Sequence, residues 1–335
     1  MSTTAPATRA PARNSVELGM ALMAVTMLLV PGIDAIAKIL SSTLAPGQVA
    51  WGRFVFQTAV LLPFMLVTRR PVATRQAGIH AARGALLAGA ILLLFWALKY
   101  LPIANAIAIF FVEPLILTLF SAVFLGERVG MRRLAAVVVG LIGALIVIRP
   151  NWALFGWAAV LPLGTAVCFA GYLSLTRHSA AAEDPLVMQL WAGIFAALAL
   201  TVVVASGAGL EIAVLEPTWP AMTGWILLLA LGLLSAVGHV MLAFAFRHAA
   251  AGILAPFQYI EIISATILGL VLFDDFPDTI TWLGTALIIA AGLYVFVRER
   301  RVAARANAAP HPDQPAPPDS SAAAPAAPSS AARRP

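Results

Sequence analysis

Long apolar runs alternate with short polar segments along the chain from residue 17 to residue 297. A helix that crosses a lipid bilayer needs about 20 mostly apolar residues, and ten of these runs approach or reach that length. The predicted spans are Glu17–Ile39, Gly47–Leu66, Arg83–Leu98, Ile103–Leu125, Arg133–Ile148, Gly156–Thr176, Leu186–Ala205, Gly224–Ala245, Ala251–Phe273 and Ile280–Val297. The pattern therefore predicts an all-α integral membrane protein with ten transmembrane helices.

The composition supports lipid as the solvent for most of the chain. Of the 335 residues, 61% are hydrophobic and only 11% are charged, and the mean hydropathy is +0.93. A soluble domain has about 25% charged residues with which to cover its surface. The composition therefore excludes an ordinary soluble domain and predicts that the lipid bilayer surrounds most of the chain as its partner.

The two ends of the chain differ from the apolar runs between them. Residues 1–16, MSTTAPATRAPARNSV, are polar and rich in alanine and proline, and no cleavage signal precedes the first apolar run. That run is too long for the core of a signal peptide, so we expect it to be a retained helix. Residues 299–335 are rich in alanine, proline and serine and are predicted to form a disordered cytoplasmic tail.

The basic residues predict the orientation of the chain. Seventeen of the 21 lysine and arginine residues lie in segments that ten alternating spans place on one side of the membrane. Because loops rich in Lys and Arg stay inside, we expect both termini in the cytoplasm, with the protein in a bacterial inner membrane. This asymmetry also explains the net charge of +6, so no nucleic-acid partner is expected.

One segment of the first half has a second copy 148 residues later. Phe110–Gly130 reads FFVEPLILTLFSAVFLGERVG, and Gln258–Asp278 reads QYIEIISATILGLVLFDDFPD. The shift aligns Glu113 with Glu261, and in earlier parts of the chain a shift of 139 residues aligns Lys38 with Arg177. The chain is therefore predicted to contain two five-helix repeats, at residues 17–150 and 151–298.

An odd number of helices in each repeat forces the second copy to enter the membrane from the opposite side. The charges agree, because Arg128, Arg132 and Arg133 follow the fourth span, whereas Phe276, Ile280 and Thr281 occupy the equivalent positions after the ninth. Inverted repeats of this kind are typical of secondary transporters, which bind substrate near the membrane midplane between the repeats.

The segment LPIANAIAIFFVEPLILTLFSAVFLGERVG (Leu101–Gly130), its partner in the second half and the glycine-containing helix that follows resemble the drug/metabolite transporter superfamily. Specifically, they resemble its ten-helix group with two EamA domains. The resemblance implies a transporter of small organic metabolites. The sequence DAIAK (Asp34–Lys38) is similar to a subgroup linked to riboflavin or S-adenosylmethionine uptake, and amino-acid exporters share most other features.

A carboxylate and a proline interrupt the fourth span. Glu113 lies about ten residues from either end of its apolar run, and an ionised carboxylate at the bilayer centre costs about 2.5 to 3.5 kcal/mol. Pro114 removes the hydrogen bond to the Phe110 carbonyl. Glu113 and Glu261 are therefore candidates for a hydrated substrate cavity. The alternative is a structural lock in which each carboxylate only ties two helices together.

The first two helices carry a second candidate group. Asp34 and Lys38 are four residues apart on one helix face, in the order that favours an ion pair, and Arg53 lies in the next helix. One hypothesis is that these charges bind an anionic or zwitterionic part of a substrate. The other is that Asp34 forms a bridge with Lys38 or Arg53 that only neutralises buried charge.

A histidine and several aromatic or amide side chains complete the candidate substrate and coupling residues. A single histidine in a membrane helix is more often a hydrogen-bonded packing residue than a ligand, and aromatic residues at helical spacing usually pack. The aromatic members are nevertheless suited to stack on a flat substrate. The set is His239, Gln258, Tyr259, Trp51 and Trp96.

Three classes of function are compatible with a membrane protein of this kind. The leading hypothesis is a carrier that works by alternating access on a small-molecule substrate, with proton coupling as a narrower version. A channel or a structural membrane subunit is the alternative. An intramembrane enzyme is the least favoured class, because the sequence has no catalytic, phosphate-binding or dinucleotide motif, and no cofactor or metal is expected. Monomer and homodimer both remain open.

The orientation is testable by reporter fusions at chosen sites. Fusions at Pro335 and in the Arg69–Arg75 loop should report the cytoplasm, and a fusion in the Glu211–Trp219 loop should report the outside. Alkaline phosphatase and green fluorescent protein activities measure the two locations. An external Arg69–Arg75 loop would contradict both the orientation and the inversion of the repeats.

Overall fold

A computed structural model of the protein describes residues 13–125, 131–179, 183–249 and 251–308. Every regular element in these ranges is helical. The α-helices are α1 (Arg13–Leu40), α2 (Pro46–Val67), α3 (Ala77–Leu98), α4 (Ile103–Phe110), α5 (Glu113–Leu125), α6 (Met131–Phe155), α7 (Leu161–Ser179), α8 (Pro185–Gly209), α9 (Met222–His248), α10 (Ala251–Leu254), α11 (Ile260–Phe273) and α12 (Thr279–Ala308). Two short 3-10 helices, Gly156–Val160 and Ala255–Tyr259, precede α7 and α11.

These helices form ten membrane crossings. In the part of the chain that the structure describes, nine helical stretches are long and apolar enough to cross a membrane. The remaining crossing is α6, whose apolar part, Leu134–Arg149, is shorter. The predicted all-α membrane fold with ten helices is confirmed.

Some helix boundaries differ from those that hydropathy predicts. Helix α3 begins at Ala77 and not at Arg83, so Arg83 lies inside the helix, where it is only 1% exposed. Helix α12 continues to Ala308, beyond the predicted end of the second repeat. Of the predicted terminal segments, residues 1–12 and 309–335 lie outside the described residues, as does the stretch 126–130, which contains Arg128.

The packing of the helices shows the inverted repeat directly. In one half, α3 packs against α7 and α8, and in the other half its equivalent, α9, packs against α1 and α2. Glycines allow the close approach in both places, with Gly84 facing Phe195 and Gly232 facing Phe56. Gly84 and Gly232 are separated by 148 residues, and Phe56 and Phe195 by 139, which are the two shifts of the sequence repeat.

The fourth and ninth crossings are both broken near their middle. The break between α4 and α5 falls at Phe111 and Val112, and the ninth crossing contains α10 and a 3-10 helix before α11 begins at Ile260. Pro114 is the second residue of α5, a position where the missing N–H of proline leaves no helical bond unmade. Helices α4 and α11 pack against each other, so the two broken crossings meet.

The connections between helices lie on two separate faces. On one face, Arg70 and Arg247 both contact Asp184, with nitrogen-to-oxygen distances of 3.5 and 3.0 Å. We call this the arginine-rich face. On the other, arginine-poor face, the Gly47 amide donates to the Val214 carbonyl at 3.0 Å. This alternation is the one that ten crossings require.

Helices α6 and α12 cross with their backbones in contact. A Cβ atom built on Gly143 would lie 2.8 Å from the Gly284 carbonyl oxygen, and one on Gly284 would lie 2.6 Å from the Gly143 carbonyl oxygen. Real Cβ atoms essentially never approach backbone oxygen this closely. The crossing therefore depends on having glycine at both positions.

Alanine at either crossing glycine should destabilise the protein. We expect Gly143→Ala and Gly284→Ala each to lower the free energy of unfolding by about 1 to 3 kcal/mol, because the backbones must separate. Thermal unfolding of the purified protein in detergent, followed by tryptophan fluorescence, measures this as a lower Tm. Gly78→Ala is the matched control, since its Cβ would meet nothing within 4 Å. An equal Tm for all three variants would contradict the close crossing.

Candidate functional site

Each broken crossing places a carboxylate at the start of its second half-helix. Glu113 is the first residue of α5 and Glu261 is the second residue of α11, and each is 8% exposed. The first turn of a helix has unpaired N–H groups and a partial positive charge, which stabilise a carboxylate. The Leu115 and Ile116 amides donate to the Val112 carbonyl, so the dipole of the helix that follows, and not free N–H groups, is what favours a carboxylate at the position of Glu113.

Three buried charged side chains form a central cluster, made of Asp34 on α1, Arg53 on α2 and Glu261 on α11. Asp34 interacts electrostatically with both Arg53 and Glu261. The Nε–H of Arg53 also donates to the Ser235 hydroxyl on α9 at 3.1 Å. With both carboxylates ionised, the central cluster would carry one net negative charge.

His239 lies beside this cluster, one helical turn after Ser235. Its Nδ1 is 2.7 Å from the Ser235 carbonyl oxygen, and since a carbonyl only accepts, Nδ1 carries the hydrogen. The neutral ring then has its lone pair on Nε2. His239 also interacts electrostatically with Arg53. The contact to its own helix fits the packing hypothesis, and the free lone pair leaves the ligand hypothesis open.

An aromatic pair joins the two breaks. The rings of Phe111 and Tyr259, which are 148 residues apart and therefore equivalent in the two repeats, have centroids 5.3 Å apart. Tyr259 interacts electrostatically with Glu113, and half-buried Gln258 precedes it in the 3-10 helix. The structure thus brings together the candidates that flank the two breaks, including Pro114.

Lys38 has a different partner from the one that its helix spacing suggests. Its Nζ donates to Asp275 at 2.8 Å and to the Leu101 carbonyl at 2.9 Å, and it lies 4.9 Å from the centroid of the Phe273 ring. Asp275 therefore forms an ion pair with Lys38 on the arginine-poor face. Asp34 is left to interact with Arg53 and Glu261.

The two tryptophan candidates make their contacts away from the central cluster. The indole N–H of Trp51 donates to the Thr201 hydroxyl on α8 at 2.9 Å. The ring of Trp96 packs edge-on against Trp157, with centroids 4.8 Å apart. These contacts are those of packing residues, and a role in binding substrate remains a prediction for both.

Sequence reasoning missed a second polar group, around Arg83 on α3. Arg83 is the first residue of the predicted third span, but in the structure it lies inside α3 and its guanidinium donates to the Thr176 hydroxyl and the Met188 carbonyl. His80, one turn earlier on the same helix, accepts a hydrogen bond from it. The spacing of His80 and Arg83 was the available signal, and the misplaced start of α3 hid it.

Several characterised transporters are similar to this chain. The riboflavin transporter of Vibrio cholerae is 30% identical over 74% of this chain and 81% of its own length. The S-adenosylmethionine uptake transporter of Rickettsia felis is 27% identical over 81% and 90%, respectively. The pseudopaline exporter of Pseudomonas aeruginosa is 30% identical over 77% and 89%.

The fold itself is found among solved structures. A crystal structure that is 20% identical in sequence superposes with a TM-score of 0.58 and covers 86% of this chain and 97% of that one. Two segments of the chain, residues 17–149 and 156–297, each match the EamA-like transporter family. The chain therefore belongs to the EamA-like transporter family of the drug/metabolite transporters and is a multi-pass membrane protein.

Proposed function

We propose that this chain is a secondary transporter that moves a small polar metabolite by alternating access, with its substrate site at the central cluster. The observation that carries the proposal is the pair of broken crossings. They meet between the repeats, and each places a buried carboxylate, Glu113 or Glu261, at a half-helix N-terminus. Discontinuous helices at a repeat interface are the usual binding sites of secondary transporters. The names of the relatives also indicate transport and not catalysis.

The chemistry of the site favours a substrate with a flat ring, a zwitterionic part, or both. The central cluster offers charges of both signs, and Phe111 with Tyr259 offers an aromatic surface. Riboflavin and S-adenosylmethionine, named for the relatives, both contain a flat heteroaromatic ring. An amino acid meets only the zwitterionic requirement. We therefore rank flavin-like and S-adenosylmethionine-like compounds before free amino acids.

Charge balance supports a role for a proton or a cationic substrate group. Asp34 and Glu261 are two buried carboxylates, whereas Arg53 supplies one positive charge to them. An unbalanced buried charge is unfavourable in a medium of low polarity. The second carboxylate is therefore expected to take up a proton or to meet a cationic group of the substrate during the cycle.

The location proposed for the protein is a bacterial inner membrane with the arginine-rich face in the cytoplasm. Positively charged loops are retained on the cytoplasmic side, and Arg70 and Arg247 lie on this face. No nucleic-acid partner is proposed. The site lies within one chain, so a monomer suffices for this mechanism and a homodimer is compatible with it.

The two carboxylates should be needed for transport but not for folding. Glu113→Gln and Glu261→Gln keep the size and hydrogen bonding of the side chain and remove its charge. Each variant should retain the membrane level of the parent and lose about tenfold or more of its transport rate. If Glu261 is the proton carrier, Glu261→Gln should also flatten the dependence of the rate on pH.

Glu216→Gln is the matched control for this pair, because it makes the same chemical change at an exposed loop residue. Glu113→Leu controls for the structural hypothesis, since it removes hydrogen bonding too and should lower the Tm. Wild-type transport rates with an unchanged pH profile in both glutamine variants would contradict a role for either charge in transport. That result would favour the structural lock.

Counterflow in proteoliposomes tests the transport class. Vesicles preloaded with excess unlabelled substrate should transiently accumulate labelled substrate above equilibrium, and the rate should saturate with concentration. Riboflavin, S-adenosylmethionine and amino acids are the compounds to compare, after a thermal-shift screen of the purified protein. A channel gives flux without counterflow, and that result would overturn the carrier mechanism.

A further inference from the structure

A buried polar group lies between the central cluster and the arginine-rich face, and we call it the Arg83 cluster. It joins α3 of the first repeat to α7 and the start of α8 of the second repeat. Its members are His80, Arg83, Tyr172, Thr176, Glu183 and Gln189. Tyr172 also interacts electrostatically with Arg53, so this group adjoins the candidate substrate site.

Arg83 is the centre of the group and ties three helices together. Its Nε–H donates to the Thr176 hydroxyl on α7 at 3.0 Å, and its Nη1 donates to the Met188 carbonyl on α8 at 3.1 Å. Its Nη2 is 3.4 Å from the hydroxyl of Tyr172, whose ring lies 5.1 Å below the guanidinium. These bonds cross from one repeat to the other, so any separation of the repeats at this face must break them.

His80 extends the group from Arg83 to the surface. Arg83 Nη1 donates to His80 Nδ1 at 2.8 Å, so the ring hydrogen is on Nε2, which donates to Glu183 at 2.7 Å. Partial burial acts to raise the pKa of Glu183, but the hydrogen bonds that this carboxylate accepts together lower it. An ionised Glu183 therefore anchors a continuous chain of hydrogen bonds that ends at a fully buried arginine.

The repeat provides an internal comparison for this group. A shift of 148 residues for the members on α3, and of 139 residues for the others, gives the equivalent position of each member in the other repeat. These positions lie near the arginine-poor face, where the equivalent helices pack against each other. All six equivalents are apolar and at most 5% exposed. They are Leu228, Leu231, Ile33, Ala37, Leu44 and Ala50.

The comparison shows that the fold does not need polar residues at these crossings. Apolar side chains close the equivalent place on the arginine-poor face, and replacing buried charged groups by well-packed apolar ones is often neutral or stabilising. The two kinds of closure differ in the free-energy cost of letting water enter between the helices. Hydrogen bonds of the Arg83 cluster can be exchanged for bonds to water at a small net loss of free energy. Separated apolar surfaces have no such replacement, because their exposure to water is unfavourable in proportion to the exposed area.

We propose that the Arg83 cluster is the gate of the transport path at the arginine-rich face, and that it opens by hydration of its polar groups. The proposal rests on the alternating-access function proposed above. Arg83 and His80 act in it as positioning residues, because they hold the repeats together and are separate from the Asp34, Arg53 and Glu261 cluster. In the open state, water takes the place of Thr176, Met188 and Glu183 as their partners.

The test replaces two polar residues of the Arg83 cluster by the apolar residues at the equivalent positions of the other repeat. The double variant His80→Leu/Arg83→Leu carries the residues found at the equivalent positions Leu228 and Leu231. It should fold with a Tm equal to or above that of the parent, since the remaining members keep other hydrogen bonds. The gate should then stay closed, and the counterflow rate should fall about tenfold or more.

A reporter cysteine measures the opening without any substrate. Ala192→Cys, in a Cys168→Ser background that removes the single native thiol, places a thiol one turn beyond Met188 and Gln189 on α8. A charged, membrane-impermeant methanethiosulfonate reagent is applied separately to each face of oriented vesicles. Modification from the arginine-rich face should be several times slower in the double leucine variant than in the parent.

Arg83→Lys is expected to shift the modification rate in the opposite direction. It also keeps the proposal testable if the double leucine variant does not fold. Lysine keeps the charge but has lost the planar fork that reaches Thr176 and Met188 at once. The gate should open more often, so modification of the same thiol should become several times faster than in the parent. A purely structural role for Arg83 predicts no such opposite shifts for leucine and lysine.

The outcomes separate this proposal from the one that it rests on. Equal modification rates in all three backgrounds, or shifts in the same direction, would overturn the gate. If the double leucine variant does not fold, an unchanged rate in Arg83→Lys overturns it. Slower modification in the double leucine variant together with faster modification in Arg83→Lys supports the gate even if no substrate shows counterflow. In that case only the proposed transport mechanism is contradicted.

Discussion

The absence of water in the bilayer core is the constraint on which the rest of this structure depends. Every backbone N–H and C=O there must be satisfied within the protein, so a helix can be interrupted only where other polar groups replace its lost bonds. The breaks before Glu113 and before Glu261 are such places. At both places the helix tightens, since the Leu115 and Ile116 amides donate to the Val112 carbonyl and the Ile260 amide donates to the Phe257 carbonyl. Each carboxylate therefore lies at the start of the regular helix that follows, where the helix dipole favours negative charge.

Sequence periodicity predicts the fold and the equivalent positions of Glu113 and Glu261 in the two repeats, because both leave local signals, whereas the role of the two carboxylates stays a prediction. Ten apolar runs and a repeat of 148 residues are visible without knowing any contact. The partner of Lys38 was not predictable, since Asp275 lies 237 residues away and the nearer Asp34 offered ideal helical spacing. Helix boundaries are the weakest part of a hydropathy pattern, and an error of six residues at the start of α3 placed buried Arg83 at the end of its helix and not inside it.

The duplicated architecture separates what the fold requires from what the individual side chains add. Positions that are similar in both repeats, such as Gly84 with Gly232 and Phe111 with Tyr259, serve the shared packing and the shared breaks. Positions that differ, such as Arg83 and Leu231, cannot be demanded by the backbone, because the same backbone exists with either residue. Two members of the central cluster belong to the second class, since Asp34 and Arg53 have Leu173 and Ala192 as their equivalents, whereas Glu261 is matched by Glu113. The proposed site thus combines a symmetric carboxylate pair with charges that only one repeat carries.

An inverted repeat gives the two faces nearly equal ways to close, so the side chains decide which closed state is more populated. The difference in free energy between the two closures sets that population, and a few kcal/mol moves it by orders of magnitude. The arginine-poor face is closed by apolar contacts and by the ion pair of Lys38 with Asp275, whereas the arginine-rich face has the polar Arg83 cluster and the ion pairs of Asp184 with Arg70 and Arg247. Opening the apolar closure exposes hydrocarbon to water, and opening the polar closure exchanges hydrogen bonds. In the alternating-access cycle proposed above, this difference would favour opening toward the arginine-rich face, and binding of substrate would supply the free energy for the opposite movement.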